Sequence, residues 1–184
     1  MRARNILLIM FTIAVASCFS NQAVAQIDSS SSKHIGQEIG ILNQLSNEIN
    51  TSYGFKDGVP RINMGPCGPF AKDFYEQWNA RFKNKVDITF IMLKNSKPPI
   101  CAHILVKLPD GNYFDGGNGV VTDSALLSKF PNSTIEEMKE FDLKLLEKNA
   151  GGLNRKYPNC PNYSNELTTK MIDKYLTILS NDKR

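Results

Sequence analysis

An aromatic repeat constrains this chain more than any other feature: Phe70, Phe74, Trp78 and Phe82 recur every four residues, with Ala71 and Tyr75 beside them. That spacing predicts a helix with one face buried against something large. Directly before the repeat stands Gly65-Pro66-Cys67-Gly68-Pro69, a single cysteine between two Gly-Pro elements. The helical period begins just after Cys67, which places its sulfur near the N-terminal end of the helix. Unpaired N–H groups and the helix dipole there stabilise an anion and lower a thiol pKa. Cys67 is therefore a candidate nucleophile, although taken alone it reads equally well as a small apolar cap residue.

The period then changes. Residues 86–93 (Val-Asp-Ile-Thr-Phe-Ile-Met-Leu) are β-branched and aromatic, with apolar residues on both parities in the second half, as expected of a central strand. Residues 95–99 form a turn. Residues 100–108 and 112–115 then make a hairpin across Pro109-Asp110-Gly111, and Gly116-Gly117-Asn118-Gly119 gives the chain a glycine-rich exit from the sheet.

Helices are expected on either side of this sheet. Ile35, Ile39, Leu42, Leu45 and Ile49 give an amphipathic helix ending before Gly54, and residues 55–66 read as an irregular loop. In the C-terminal third, Thr122 or Asp123 starts a short helix through Phe130. Ser133 with Glu136 has the form of a capping box for a second helix, carrying Ile135, Met138, Phe141, Leu145 and Leu146 and stopping at Gly151-Gly152. Ser164 opens the last one, with Leu167, Met171, Ile172, Tyr175, Leu176 and Leu179 on its face. The expectation is a single α+β domain over residues 34–184: an antiparallel sheet packed against the cysteine-bearing helix, with additional C-terminal helices.

The register of the hairpin decides whether His103 and Asp115 can cooperate. In Leu108-Pro109-Asp110-Gly111-Asn112, proline is preset for the first loop position and glycine for a left-handed third, the pattern of a three-residue loop with a bulge. Leu108 then faces Asn112 and Leu105 faces Asp115. Alternation puts His103, Leu105, Tyr113 and Asp115 on one face and Ala102, Ile104, Val106 and Phe114 on the other, apolar one. His103 and Asp115 become diagonal neighbours within hydrogen-bonding reach. A two-residue turn would send Asp115 to the opposite face. Each residue alone has a plainer account, His103 as a core histidine and Asp115 as a turn carboxylate. Asn63, four residues before Cys67, reads as an ordinary loop asparagine rather than an oxyanion donor.

Together Cys67, His103 and Asp115 supply a nucleophile, its base and the group that orients the base. On Gly65-Pro66-Cys67-Gly68-Pro69-Phe70-Ala71, Cys101-Ala102-His103-Ile104 and Tyr113-Phe114-Asp115-Gly116-Gly117, the chain resembles the papain-like superfamily in its transglutaminase-like branch, with chain order Cys, His, Asp. The resemblance covers residues 64–120. It implies a helix packed on an antiparallel sheet and acyl chemistry through a thioester. A cysteine hydrolase or acyltransferase acting on a peptide, protein or peptidoglycan-like amide substrate would follow, with no cofactor and no metal. Two other functions compete: a catalytically silent binding protein of the envelope, and a zinc site of Cys67, Cys101, His103 and Cys160, which lacks the paired short spacings of structural zinc motifs.

Compartment is legible at the N-terminus. Arg2 and Arg4, an apolar run from Ile6 to Ala16 too short to span a bilayer, and Ala23-Val24-Ala25 have the form of a secretory signal peptide cleaved after residue 25. Val15-Ala16-Ser17-Cys18 competes as a lipoprotein box that would leave Cys18 lipidated. Residues 26–33, serine-rich, read as a flexible leader, and His34 as a surface histidine without a partner at metal-ligand spacing. A periplasmic or secreted protein with no transmembrane segment in its mature form is expected. Loss of the two signal arginines from a net charge of +4 leaves about +2, too little to point to nucleic acid. Three cysteines stay in the mature chain, and an odd count in an oxidising compartment predicts one bridge and one free thiol: Cys101 to Cys160 with Cys67 free, or Cys67 to Cys101 as a redox off-state.

Overall fold

The structure, a computed structural model, describes residues 35–182. The expected signal peptide, its cleavage point, the Cys18 lipid box, the serine-rich leader and His34 lie outside the described residues. The chain divides into a first unit ending at Ile39 and a second beginning at Gly40. Of the first, residues 35–39 are described and are helical. The second contains everything discussed below.

In the second unit, helix α1 (residues 40–53) buries Leu42, Leu45 and Ile49 completely, at the spacing its apolar pattern predicts. The segment that follows is more regular than expected of a loop. Strands β1 (Phe55–Lys56) and β2 (Val59–Pro60) pair as a small hairpin, and a 3-10 turn, Arg61–Asn63, leads towards the cysteine. Asp57 and Gly58 at positive φ close that hairpin, an Asp-Gly signal flanked by strands too short to read from their apolar pattern.

Helix α2 runs Cys67–Arg81, so Cys67 is its first residue, with Pro66 at the N-cap. Pro69 is tolerated because first-turn N–H groups have no partner inside a helix. Phe70, Phe74 and Trp78 are buried to within 1 % exposure. Burial of each contributes roughly 1.5–3 kcal/mol. Phe74 meets Phe114 of the sheet at 4.8 Å between ring centroids and stacks on Trp78 at 5.6 Å. The indole N–H of Trp78 donates to the Asn84 carbonyl, 2.8 Å away, which ties the end of the helix to the start of the sheet.

The sheet has five antiparallel strands in the order β6-β5-β4-β3-β7: β3 (Asp87–Leu93), β4 (Cys101–Lys107), β5 (Tyr113–Asp115), β6 (Gly119–Val121) and β7 (Ser133–Glu137). Val106 pairs with Phe114 and Lys107 with Tyr113, and the Leu108 N–H donates to the Asn112 carbonyl at 2.8 Å. The three-residue loop is therefore present with Gly111 at φ 89°. One face carries Ile88, Phe90, Ile104, Val106 and Phe114 into the main core, which α2 shares. The other carries Ile91, Leu105 and Tyr113 against Leu126 of α3 (Asp123–Lys129), whose N-cap is Thr122.

One expected helix is a strand. Residues 133–137 form β7 along the open edge of β3, with Ile135 opposite Ile91. The Ser133 hydroxyl donates back to the Phe130 carbonyl at 2.6 Å instead of capping a helix. An unpaired edge beside a β-branched segment outweighs a capping pattern. Helix α4 (Leu143–Ala150) starts later, capped by Asp142, whose carboxylate accepts from the Lys144 and Leu145 N–H groups. The last helix, α5 (Asn165–Asp182), buries Thr168, Met171, Ile172, Tyr175, Leu176 and Leu179, while Leu167 is exposed. The mixed architecture is the expected α+β arrangement with an antiparallel sheet. Among the described residues no helix is long and apolar enough to cross a membrane.

Candidate active site

Cys67, His103 and Asp115 come together where the sheet opens. The hairpin register would place Gly116 opposite Ile104, but β5 ends at Asp115, so β4 is uncovered at that point. The first turn of α2 fills the opening. There the Cys67 sulfur meets the Ile104 backbone N–H and the His103 ring. His103 Nε2 lies 3.1 Å from Asp115 Oδ2, which leaves Nδ1 as the ring nitrogen for Cys67. Phe130 stacks on the imidazole at 5.6 Å, 14° from parallel, and His103 is 3 % exposed. The ring is fixed on one face by packing and at one nitrogen by a carboxylate.

Asp115 is saturated with donors. Its Oδ1 accepts from Gly117 N–H (2.8 Å), Asn118 N–H (2.6 Å) and Asn63 Nδ2 (2.9 Å), and its Oδ2 accepts from Asn118 Nδ2 (2.7 Å) in addition to the histidine. The glycine-rich exit makes this possible by letting the chain turn back onto the carboxylate. A Cβ on Gly117 would stand 2.5 Å from the Pro60 Cβ and 2.6 Å from Asn63 Nδ2. Asn50 of α1 anchors the same loop by donating to the Gly117 carbonyl at 2.8 Å.

Electrostatics follow from burial and from these partners. Burial opposes the Asp115 carboxylate, yet the His103 hydrogen bond and charge, with the Asn118 donors, hold its pKa well below the usual range. Burial likewise opposes the His103 cation, but Asp115 and then Cys67 raise its pKa to about 10. For Cys67, burial pushes the thiol up. The His103 hydrogen bond and charge and the Ile104 N–H outweigh that and bring it below an ordinary thiol, against a smaller opposing push from Asp115. The combined preference is a thiolate–imidazolium pair backed by a carboxylate.

A cleft of about 290 Å³ opens onto this pair, lined by Asn63, Gly65, Cys67, Cys101, Ala102 and His103 together with Asn149, Ala150, Arg155 and Asn159 from α4 and the loop after it. Gly65, at φ 136°, lies under the Tyr157 ring, where any Cβ would stand 2.8 Å from a ring carbon. Gly68 faces α4 equally closely, its would-be Cβ 2.6 Å from the Ala150 Cβ. The N–H groups of Cys67 and Gly68 belong to the first turn of α2, and such donors suit an oxyanion.

Cys67, Cys101 and Cys160 are all unbridged. Cys160 is buried in the main core, 1 % exposed, whereas Cys101 opens β4 with its thiol on the His103 carbonyl at 3.2 Å. Burial, then the Cys67 charge, push the Cys101 thiol up to about 12. Among the described residues no three His, Cys, Asp or Glu side chains are grouped to hold a metal ion, so the four residues of the zinc reading do not converge. Asn63 has a larger role than its loop position suggested: its amide supports Asp115, and its Oδ1 is buried without a hydrogen-bond partner. Its position four residues before Cys67 was the available signal; the carboxylate it supports is 52 residues away in sequence.

Comparison of the chain with models of protein families, with characterised proteins and with solved structures finds no match.

Proposed function

We propose that the protein is a cysteine-nucleophile hydrolase or acyltransferase acting on an amide or peptide bond through a thioester. The observation that carries this reading is the contact of Cys67, first residue of α2, with a His103 whose other ring nitrogen is 3.1 Å from the buried Asp115. In the proposed cycle the Cys67 thiolate attacks the carbonyl carbon while N–H groups of the first helical turn receive the developing oxyanion. The C–N bond breaks as the His103 cation gives its proton to the departing amine. Neutral His103 then takes a proton from water, or from an acceptor amine, which attacks the thioester and releases Cys67 as thiolate. Asp115 stays ionised throughout, holding the ring tautomer and stabilising its cation.

The resemblance to the transglutaminase-like branch of the papain-like superfamily supports the same reading from the order Cys67, His103, Asp115. The N-terminal signal pattern adds a periplasmic or secreted location, with peptide, protein or peptidoglycan-like amides as the substrate class within reach there. Alkylation of Cys67 with iodoacetamide across pH 5–9, followed by peptide mass mapping, tests the assignment. A nucleophile of this type reacts at about pH 6, well below the ~8.5 of a free thiol. Reaction only as an ordinary thiol would favour a catalytically silent binding protein.

A further inference from the structure

We infer that Arg155 is a specificity-determining residue that receives a carboxylate of the substrate beside the reacting bond. This rests on the reading of Cys67 as nucleophile and adds the charge of what it acts on. The loop between α4 and α5 builds the far wall of the cleft, and Arg155 is the one permanently charged side chain among its lining residues. The guanidinium is held over the Tyr157 ring, 4.9 Å from its centroid, and donates to the Ala150 carbonyl at 3.3 Å. Tyr157 in turn covers Gly65, two residues from the nucleophile. Arg155 is thus positioned on an aromatic platform that adjoins Cys67, and among the described residues no carboxylate lies within ion-pair distance of it.

The surroundings have the same sign. Asn159, on the same wall, is held by two cations: Lys56 donates to its side-chain oxygen and Arg61 to its carbonyl, both at 2.8 Å. The carboxylate nearest the reacting groups, Asp115, is buried and fully engaged by His103 and four other donors. Glu136 is felt at Cys101 but does not line the cleft. A planar fork of donors with an open face suits bidentate recognition of a carboxylate. The substrate class is therefore an amide with a carboxylate next to the scissile bond, either a main-chain terminus or an acidic side chain.

Iodoacetate and iodoacetamide are matched probes, differing in charge but each attacked by the thiolate at its iodine-bearing carbon with loss of iodide. With full-length protein at pH 6 and low salt, the ratio of their Cys67 alkylation rates should fall about fivefold in Arg155→Gln, equivalent to about 1 kcal/mol. Arg155→Lys should retain most of the ratio. Lys170→Gln, a charge change on α5 outside the cleft, should leave it unchanged. N-acetylglycine and N-acetylglutamyl amide, used as competitors against iodoacetamide, distinguish a terminal from a side-chain carboxylate: the matching one protects the wild type more than Arg155→Gln. An equal ratio in wild type and Arg155→Gln overturns the inference. Failure of the nucleophile reading looks different, because iodoacetamide alone would then show no reaction at pH 6 in any of these proteins.

Discussion

Asn63 Nδ2 lies 2.9 Å from Asp115 Oδ1, a hydrogen bond that joins the loop leading into the cysteine helix to the carboxylate at the end of β5. The segment that leads into Cys67 and the one that carries the carboxylate behind His103 are therefore fastened directly to each other, as well as through the core. Gly117 is the close point of that junction, and it has no room for a side chain.

Gly117→Ala should push Asn63 and Pro60 away from the carboxylate. Overpacking at a backbone approach of this kind costs roughly 1–3 kcal/mol. A lower thermal midpoint together with slower Cys67 alkylation at pH 6 is the expected outcome. A lower midpoint with unchanged alkylation would show that Asn63 does not help to position Asp115.

His103→Ala removes the largest influences that lower the Cys67 pKa and leaves burial and the Asp115 charge, which raise it, opposed only by the Ile104 N–H. At pH 6 a thiol of ordinary pKa near 8.5 has about 300-fold less thiolate than a fully ionised one. Alkylation at pH 6 should fall steeply, by about that factor for a wild-type thiol fully ionised there, and recover only in alkali. Iodoacetamide rates measured against pH decide this, and a profile matching the wild type would sink the ion pair.

Asp115→Asn places an amide where five donors converge. An NH₂ group must then face either the Oδ1 set, of Gly117, Asn118 and Asn63, or the Oδ2 set, of His103 and Asn118. A buried donor left facing donors costs roughly 1–3 kcal/mol. The variant should be less stable in urea as well as slower, and full stability with reduced rate would show that the donors rearrange freely.

Stability against pH carries the sign of each shift. His103 is raised to about 10, so its contribution is complete below the unfolded value of ~6.5 and is lost as pH rises through about 10. Cys67 is lowered, so its contribution is complete above ~8.5 and is lost as pH falls through its folded value. Where both act, from the folded value of Cys67 up to ~8.5, the two slopes, each about 1.4 kcal/mol per pH unit, cancel. The wild type should show a plateau there, whereas Cys67→Ala, keeping only the histidine slope, should decline from ~6.5 upward. Asp115, held low, adds a loss on the acid side below ~4. Urea unfolding at a series of pH values tests the pattern, and an unbroken decline from ~6.5 in the wild type would contradict it.

The cysteine helix, the central strands and the hairpin were legible because each rests on a periodic pattern or on turn chemistry local to a few residues. Phe70, Phe74 and Trp78 show one buried face, and Pro109-Asp110-Gly111 fixes the register that brings His103 to Asp115. What misled was information held elsewhere in the chain. Ser133 and Glu136 satisfy a capping pattern, but the open edge of β3 decides their fate through pairs such as Ile91 with Ile135. Asn63 looks like any loop asparagine until Gly117 permits the return of the chain.

The close approach of Gly68 to Ala150 bears on what the cleft would admit under the proposed function. With only 2.6 Å between a would-be Gly68 Cβ and the Ala150 Cβ, the start of α2 and the end of α4 stand closer than an added methyl permits. If Cys67 acts as proposed, its helix and the end of α4 form two sides of a narrow gauge, and the cleft would select acyl groups by thickness. Gly68→Ala would act as a shim: it would spread the gauge by a fraction of an ångström and admit bulkier acyl groups, at the expense of contact with slender ones.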